Sequence, residues 1–465
     1  METRTLKLIA ESCGAEISND HANMLALNVC TDSRAAKVGD IFFAIRGDNF
    51  DGHNFVAEVA AKKVAAVVLE KSQVQSLKAS VPAEVALLAV NDVRIALGQV
   101  AAKYRQDFSL PVIAVGGSNG KTTTKELIAS VLRQKFSTLW SEASFNNDIG
   151  VPTTLLRLEK THRAAVLEVG TNHPGELAPL VRMVAPKFGV ITSIGREHLE
   201  FFGDVDGVAL EEGALAEWLP PDGKLFLNGD DVWSEKIAAR TKANVIRVGV
   251  GEKNNWCAKR IRLDKNGVTF QVESAQKDFS GEYRVNLLGR HQVTNAMLAL
   301  AIGVELGLTR AEILKGLADC QPAKMRMNYW EANGVRVLDD CYNANADSTL
   351  AALETLCGLP LQGRRVAVLG DMAELGVHSA AAHAEIGRRA AELKVGQLFA
   401  VGKMAPVMAQ AARAAGLVRV FEFLEVEGAV KAVKTFLKAG DVVLLKASRS
   451  TRLERIAETL KAGKN

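Results

Sequence analysis

Short, continuous apolar runs punctuate this chain and predict strands. Pro111-Val112-Ile113-Ala114-Val115 is one, and a helical pattern over Lys125–Leu132 follows it across a glycine-rich turn. Val64–Leu69 is another, and Gly39–Ile45, fed by a turn at Asp32-Ser33-Arg34, a third. The stretch from Asn91 to Asp107 reads as a helix joining this first region to the next. Beyond it, runs at Ala164–Val169, Phe188–Thr192 and Gly223–Asn228 alternate with helical segments. Further runs follow at Val335–Asp339, Arg365–Gly370 and Asp441–Lys446. Runs of this kind, alternating with helices, imply mainly parallel sheets with helices on both faces. The expected fold is therefore α/β in three domains. These are a small N-terminal α/β domain at residues 1–85, a central doubly wound, mainly parallel sheet of P-loop ATPase type at 86–322, and a Rossmann-like α/β domain at 323–465.

Composition refines this picture only slightly. A length of 465 residues suits roughly three domains. The chain is 48% hydrophobic and 24% charged, ordinary values for a globular enzyme. A net charge of +4 with no Lys/Arg run argues against nucleic acid as a partner. The six cysteines are scattered with no CxxC pair, which fits a reduced cytoplasm better than a disulfide framework. No apolar run reaches the about 18 residues a membrane span needs, and no signal region opens the chain. The expectations are a cytoplasmic location, no membrane insertion and a monomeric state.

The richest chemistry lies in the turn after Val115. Gly117, Ser118, Asn119, Gly120, Lys121, Thr122 and Thr123 stand between the predicted strand and helix. Such a turn lets backbone N–H groups surround phosphate oxygens, and the helix N-terminus adds positive potential. Lys121 would reach the terminal phosphates and Thr122 would offer its hydroxyl to Mg²⁺, with ATP as the nucleotide. The strict P-loop pattern has Gly where Val115 stands. Glu168 ends an apolar strand, where ligands of doubly wound sheets bind, and a carboxylate beside phosphates is a natural Mg²⁺ ligand. A solvated strand-end glutamate is the plain alternative. His198 lies just past another strand, and a lone histidine is more often structural than a ligand. Asn146-Asn147, before Gly150 and Pro152, offers amide donors or simple turn chemistry. Asp339-Asp340 offers a nucleotide or metal contact, or solvated strand-end charge.

Together these segments resemble the Mur ligase family. The resemblance rests on Gly117-Ser118-Asn119-Gly120-Lys121-Thr122, Asn146-Asn147-x-x-Gly150-x-Pro152, Glu168, His198 and Gly289-Arg290-His291-Gln292-Val293-Thr294-Asn295-Ala296. It extends to Thr31-Asp32-Ser33-Arg34 and Asp51-Gly52-His53 near the N-terminus. The C-terminal segments Asp339-Asp340-Cys341-Tyr342-Asn343-Ala344-Asn345, Leu369–Gly376 and Lys446-Ala447-Ser448-Arg449-Ser450 resemble one branch of it. That branch implies an ATP-dependent carbon–nitrogen ligase of peptidoglycan precursor synthesis. It would join D-alanyl-D-alanine to UDP-N-acetylmuramoyl-tripeptide through an acyl phosphate.

The same resemblance implies roles for single residues. Lys121, Glu168 and His198 would be catalytic, with Thr122, Glu168 and His198 at the metal. Asn295, Arg326 and Asp340 would contact the nucleotide. Ser33, Arg34, Asn146, Asn147, Asn343 and Asn345 would contact the substrates, the first two in the UDP-sugar-binding domain. The family usually has Thr where Gly116 stands and Gly where Ala447 stands. It often carries a carbamylated lysine where this chain has Glu212, so Glu212, or its neighbour Glu211, would supply the negative charge instead. The competing readings are another amino-acid ligase of the family and a P-loop kinase.

Overall fold

The computed structural model describes residues 1–47, 50–360 and 362–462. It divides into two compact units. The first holds Met1–Ala114, Phe136–Gly170 and Ala178–Lys187, and the second Val115–Lys135, Thr171–Leu177 and Phe188–Asn465.

In the first unit, Asn28–Cys30, Asp40–Phe43, Ala66–Glu70 and Ala86–Val90 form a parallel four-stranded sheet in that order. Strand Asp40–Phe43 is buried throughout, and Phe42, Val56, Val59, Val67 and Leu69 pack into one core. Burial on both faces is what a continuous apolar run requires. Helix Val93–Arg105 follows, started by Asp92, whose side chain accepts the Ile95 N–H at 2.9 Å. Its Tyr104 hydroxyl donates to the Leu158 carbonyl at 2.6 Å. A parallel pair, Thr138–Trp140 with Ala164–Glu168, and a short antiparallel pair, Arg4–Thr5 with Leu25–Ala26, also lie wholly within this unit.

Strand Val112–Gly116 carries the chain from the first unit into the second. There Phe188–Ile191, Lys224–Asn228 and Asn244–Gly249 lie side by side in parallel. Trp256–Asp264, Gly267–Ser274 and Gly281–Val285 extend them as an antiparallel meander. These three strands alternate buried and more exposed positions instead of running apolar, so a search for apolar runs passes over them. A six-stranded sheet follows, in the order Asn328–Ala332, Val335–Asp340, Val442–Lys446, Arg365–Gly370, Gln397–Val401, Val420–Phe423. Only its first pair is antiparallel. Val337, Val366, Val368, Val443 and Leu445 form its core with helices Val426–Phe436 and Glu454–Ala462. The mainly parallel α/β expectation of the fold class is thereby met. Among the described residues, no helix is long and apolar enough to cross a membrane.

Candidate active site

The phosphate-loop geometry begins with two glycines. Gly117 has φ 107° and Gly120 φ 87°, both in the left-handed region. A Cβ on Gly117 would stand 2.8 Å from the Thr192 backbone nitrogen, so only glycine fits there. Gly120 turns the chain so that the helix begins at Lys121, four residues before the sequence pattern becomes amphipathic. The loop is held from outside. The Ser118 N–H donates to the Ser193 carbonyl at 2.7 Å, and the Asn119 N–H donates to Ser193 Oγ at 3.2 Å. Lys121 Nζ reaches Glu197 at 3.3 Å and the Ser118 carbonyl at 3.4 Å. Thr122 is buried in the first helical turn. Asn295 lies against Gly120, where a Cβ would stand 2.8 Å from its Oδ1, and it donates to Gln292 at 2.9 Å.

A carboxyl group sits directly on this loop. Helix Val205–Glu212 ends with Glu212, which is fully buried and accepts the Gly117 N–H at 2.6 Å. Burial pushes this carboxyl up to about 7. The nearby Glu197 and Glu211 charges add to the push, while Lys121 and the Gly117 N–H oppose it. Glu211 points elsewhere, accepting the N–H groups of Gly175 and Leu177, each at 2.8 Å. Of the two neighbours, Glu212 is therefore the one at the loop.

His198 caps the short helix Leu199–Phe202 with φ 49°. Its Nδ1 bonds Glu374, and its Nε2 lies 4.0 Å from Glu197. In the first unit, Glu168 is buried and accepts from Asn146 Nδ2 at 2.9 Å. Asn147 Oδ1 accepts the Gly150 N–H at 2.9 Å, at the start of helix Gly150–Leu155. Among the described residues, Glu168 Oε2 and Glu212 Oε1 are buried without a hydrogen-bond partner. Buried carboxylate oxygens with an unused acceptor suit a cation. No group of three or more His, Cys, Asp or Glu side chains gathers into a ready-made metal cage among the described residues. Mg²⁺ does not need one, because it usually takes one or two protein carboxylates and completes its shell with phosphates and water.

The C-terminal motifs meet the loop within the second unit. Asn345 Nδ2 donates to Asn119 Oδ1 at 2.9 Å while its own Oδ1 caps helix Ala346–Gly358. Arg196 is held by Asp347 at 2.7 Å and by Glu385 at 2.5 Å. Asp340 pairs with buried Lys446 at 2.6 Å and accepts the Met327 N–H at 3.0 Å. Lys446 also donates to the Asn343 carbonyl at 3.1 Å. Arg326 stacks on Tyr342, 4.2 Å from the ring centroid. Ser33 and Arg34 lie in an exposed turn of the first unit. Arg34 pairs with Asp32 at 2.7 Å, and Ser33 accepts from Lys62 through its carbonyl at 2.8 Å. The Arg34 guanidinium holds the Asp32 carboxyl down at about 2.

Sequence reasoning passed over Glu197, Asp347 and Glu374. Glu197 adjoins His198, which was the one available signal. The other two reach their partners across 151 and 176 residues and leave no local pattern.

A glycine loop between a parallel strand and a helix, with a lysine and a threonine at the helix start, defines a P-loop nucleotide-binding protein. Three family descriptions then match in chain order. "Mur ligase family, catalytic domain" covers residues 27–105, "Mur ligase middle domain" 115–303, and "Mur ligase, glutamate ligase domain" 325–449. This chain belongs to the Mur ligase family. It is 32% identical to the UDP-N-acetylmuramoyl-tripeptide–D-alanyl-D-alanine ligase of Bacillus subtilis (strain 168), covering 99% of each chain. Identity to the enzyme of that name from Escherichia coli (strain K12) is 33%, over 97% of this chain and 96% of that one. The crystal structure of MurF from Acinetobacter baumannii superposes with a TM-score of 0.90 at 33% identity, covering 99% of both chains. The MurF ligase from Thermotoga maritima in complex with ADP gives 0.81 at 26% identity, over 94% of this chain and 97% of that one.

Proposed function

We propose that this chain joins D-alanyl-D-alanine to UDP-N-acetylmuramoyl-tripeptide at the expense of ATP, in the cytoplasmic synthesis of peptidoglycan precursor. The single observation that carries the reading is its full-length likeness to ligases of that name. The loop supports it independently. A peptide carboxylate is a poor electrophile, so its oxygen first takes the γ-phosphoryl group of ATP and ADP leaves. The amine of the dipeptide then adds to the acyl carbon, and phosphate departs with the carboxylate oxygen.

Both steps gather anions, so they need fixed positive charge. Lys121 supplies it at the helix start, and the N–H groups of the first helical turn would orient the phosphates, while those of Gly117, Ser118 and Asn119 hold the loop's shape against Glu212 and Ser193. Asn295 would seat the nucleotide against Gly120, with Arg326 and Asp340 contacting it from the C-terminal part. Thr122, Glu168 and His198 would hold Mg²⁺, which would neutralise phosphate charge. Glu212 replaces the carbamylated lysine of the family and keeps an acidic group on the loop. Residues 1–85 would bind the UDP-sugar through Ser33 and Arg34, residues 86–322 ATP, and residues 323–465 the dipeptide. Asn146, Asn147, Asn343 and Asn345 would position the two substrates.

The test is phosphate release by the purified protein. Release that requires ATP, tripeptide precursor and D-alanyl-D-alanine together supports the reading. Equal release without the dipeptide, or a single amino acid serving in its place, would overturn it.

A further inference from the structure

The segment Leu369–Gly376 has no role in the reaction as described so far, yet it supplies the side chain that holds His198. Glu374 and His198 bond through Nδ1, and three further contacts join the same two segments. The Glu200 N–H donates to the Glu374 carbonyl at 3.0 Å. The His378 Nε2–H donates to the Gly203 carbonyl at 2.8 Å. Gly376 lies so close that a Cβ would stand 3.1 Å from Glu200 Cα. Both bonded residues are in the left-handed region, His198 at φ 49° and Glu374 at φ 60°. Non-glycine residues stay there only when their surroundings over-determine them, and such residues concentrate at functional sites.

We propose that Glu374 is a positioning residue for His198, delivered by the C-terminal part of the chain. Glu374 belongs to the stretch matched at 325–449 and His198 to the stretch matched at 115–303. A neutral imidazole has one N–H and one lone pair. With a carboxylate on Nδ1, the proton sits on Nδ1 and the lone pair is left on Nε2. Docking of segment 373–378 therefore fixes both the tautomer and the ring plane. This rests on the reading of His198 as a metal-binding group, and it adds a condition. His198 is ready for the metal only while the C-terminal segment is docked.

The experiment uses the full-length protein with ¹⁵N-labelled histidine at about pH 9, above the ordinary imidazole range. Among the eight histidines, the His198 signal is the one lost in His198→Gln. Without metal, the wild type should show the proton on Nδ1. Glu374→Ala should move it to Nε2, and Glu374→Gln, which still offers an acceptor, should keep it on Nδ1. The Mg²⁺ concentration for half-maximal ATP turnover should rise about tenfold in the alanine variant and much less in the glutamine variant, as for other carboxylates behind a metal-binding histidine. An unchanged tautomer in Glu374→Ala overturns the positioning role. A shifted tautomer with an unchanged Mg²⁺ requirement instead overturns the reading of His198 as a metal ligand.

Discussion

The loop Gly117–Thr122 and the turn Asp32–Arg34 are both polar turns that follow a strand, and they are built in opposite ways. The loop would bind with backbone. Its glycines are sterically required, the N–H groups of Gly117, Ser118 and Asn119 are spent on Glu212 and Ser193 and so hold the loop's shape, and Thr122 is buried in the first helical turn. The turn would bind with a side chain. Arg34 is 87% exposed and its guanidinium rests on Asp32, two residues away. Groups fixed before a ligand arrives need no reorganisation during reaction, so they can act on the transition state. An exposed arginine must leave its own carboxylate to meet a ligand, and its contribution falls mainly on ground-state binding. The contrast predicts loss of turnover at the loop and loss of affinity at the turn.

The largest effect should come from Lys121→Ala. Removing a fixed charge from a phosphoryl-transfer site costs roughly 10²-fold or more in kcat. The circular dichroism spectrum should stay unchanged, because Lys121 lies at a helix start and not in the core. Near-normal turnover would erase the contrast.

Glu212→Ala should come next, with a fall of about 10- to 100-fold. Activity of the wild type should not depend on added bicarbonate, because glutamate carries its carboxylate without carbon dioxide. Full activity in Glu212→Ala would remove this position from the site. The same residue gives a pH signature in the ligand-free protein. Its carboxyl lies near 4.5 in the unfolded chain and about 7 when folded. Between those values the unfolded chain releases a proton that the folded protein keeps, so this contribution to stability falls as pH rises from about 4.5 to about 7. At about 1.4 kcal/mol per pKa unit, the loss reaches at most about 3 kcal/mol. Thermal melts of Glu212→Gln should lack that decline. An identical decline in both proteins would show that the carboxyl titrates elsewhere.

How much of this was legible follows the same division. The loop could be read from ten contiguous residues because backbone recognition needs a strand, glycines and a helix start in immediate succession. Parallel strands such as Val112–Gly116, Ala164–Glu168 and Val442–Lys446 were legible because burial on both faces leaves an unbroken apolar run, whereas Gln397–Val401, buried throughout as well, was passed over. The meander Trp256–Val285 was not legible, because its strands alternate buried and more exposed positions, and a bulge between Lys259 and Arg262 further breaks the first of them. Glu212 became a candidate only through the family resemblance, and geometry then separated it from Glu211. Glu374 reaches His198 across 176 residues, and Asn345 reaches Asn119 across 226, which no local pattern encodes.

Glu168→Ala and His198→Ala should each raise the Mg²⁺ requirement about tenfold with a smaller change in kcat at saturating Mg²⁺. Activity measured against Mg²⁺ concentration checks this, and superimposable curves would exclude both as ligands. The smallest effect belongs to the turn. Arg34→Ala should raise the KM for the tripeptide precursor roughly threefold to tenfold and leave that for ATP nearly unchanged. Equal weakening toward both substrates would break the division between loop and turn.

The central claim is that the loop activates a substrate carboxylate by phosphorylation. The most direct measurement places ¹⁸O in the terminal carboxylate of the tripeptide precursor and follows it during turnover with ATP and D-alanyl-D-alanine. The account predicts one ¹⁸O in each phosphate released, carried over when the amine displaces phosphate from the acyl carbon. Phosphate free of the label, with its new oxygen drawn from water, would contradict it.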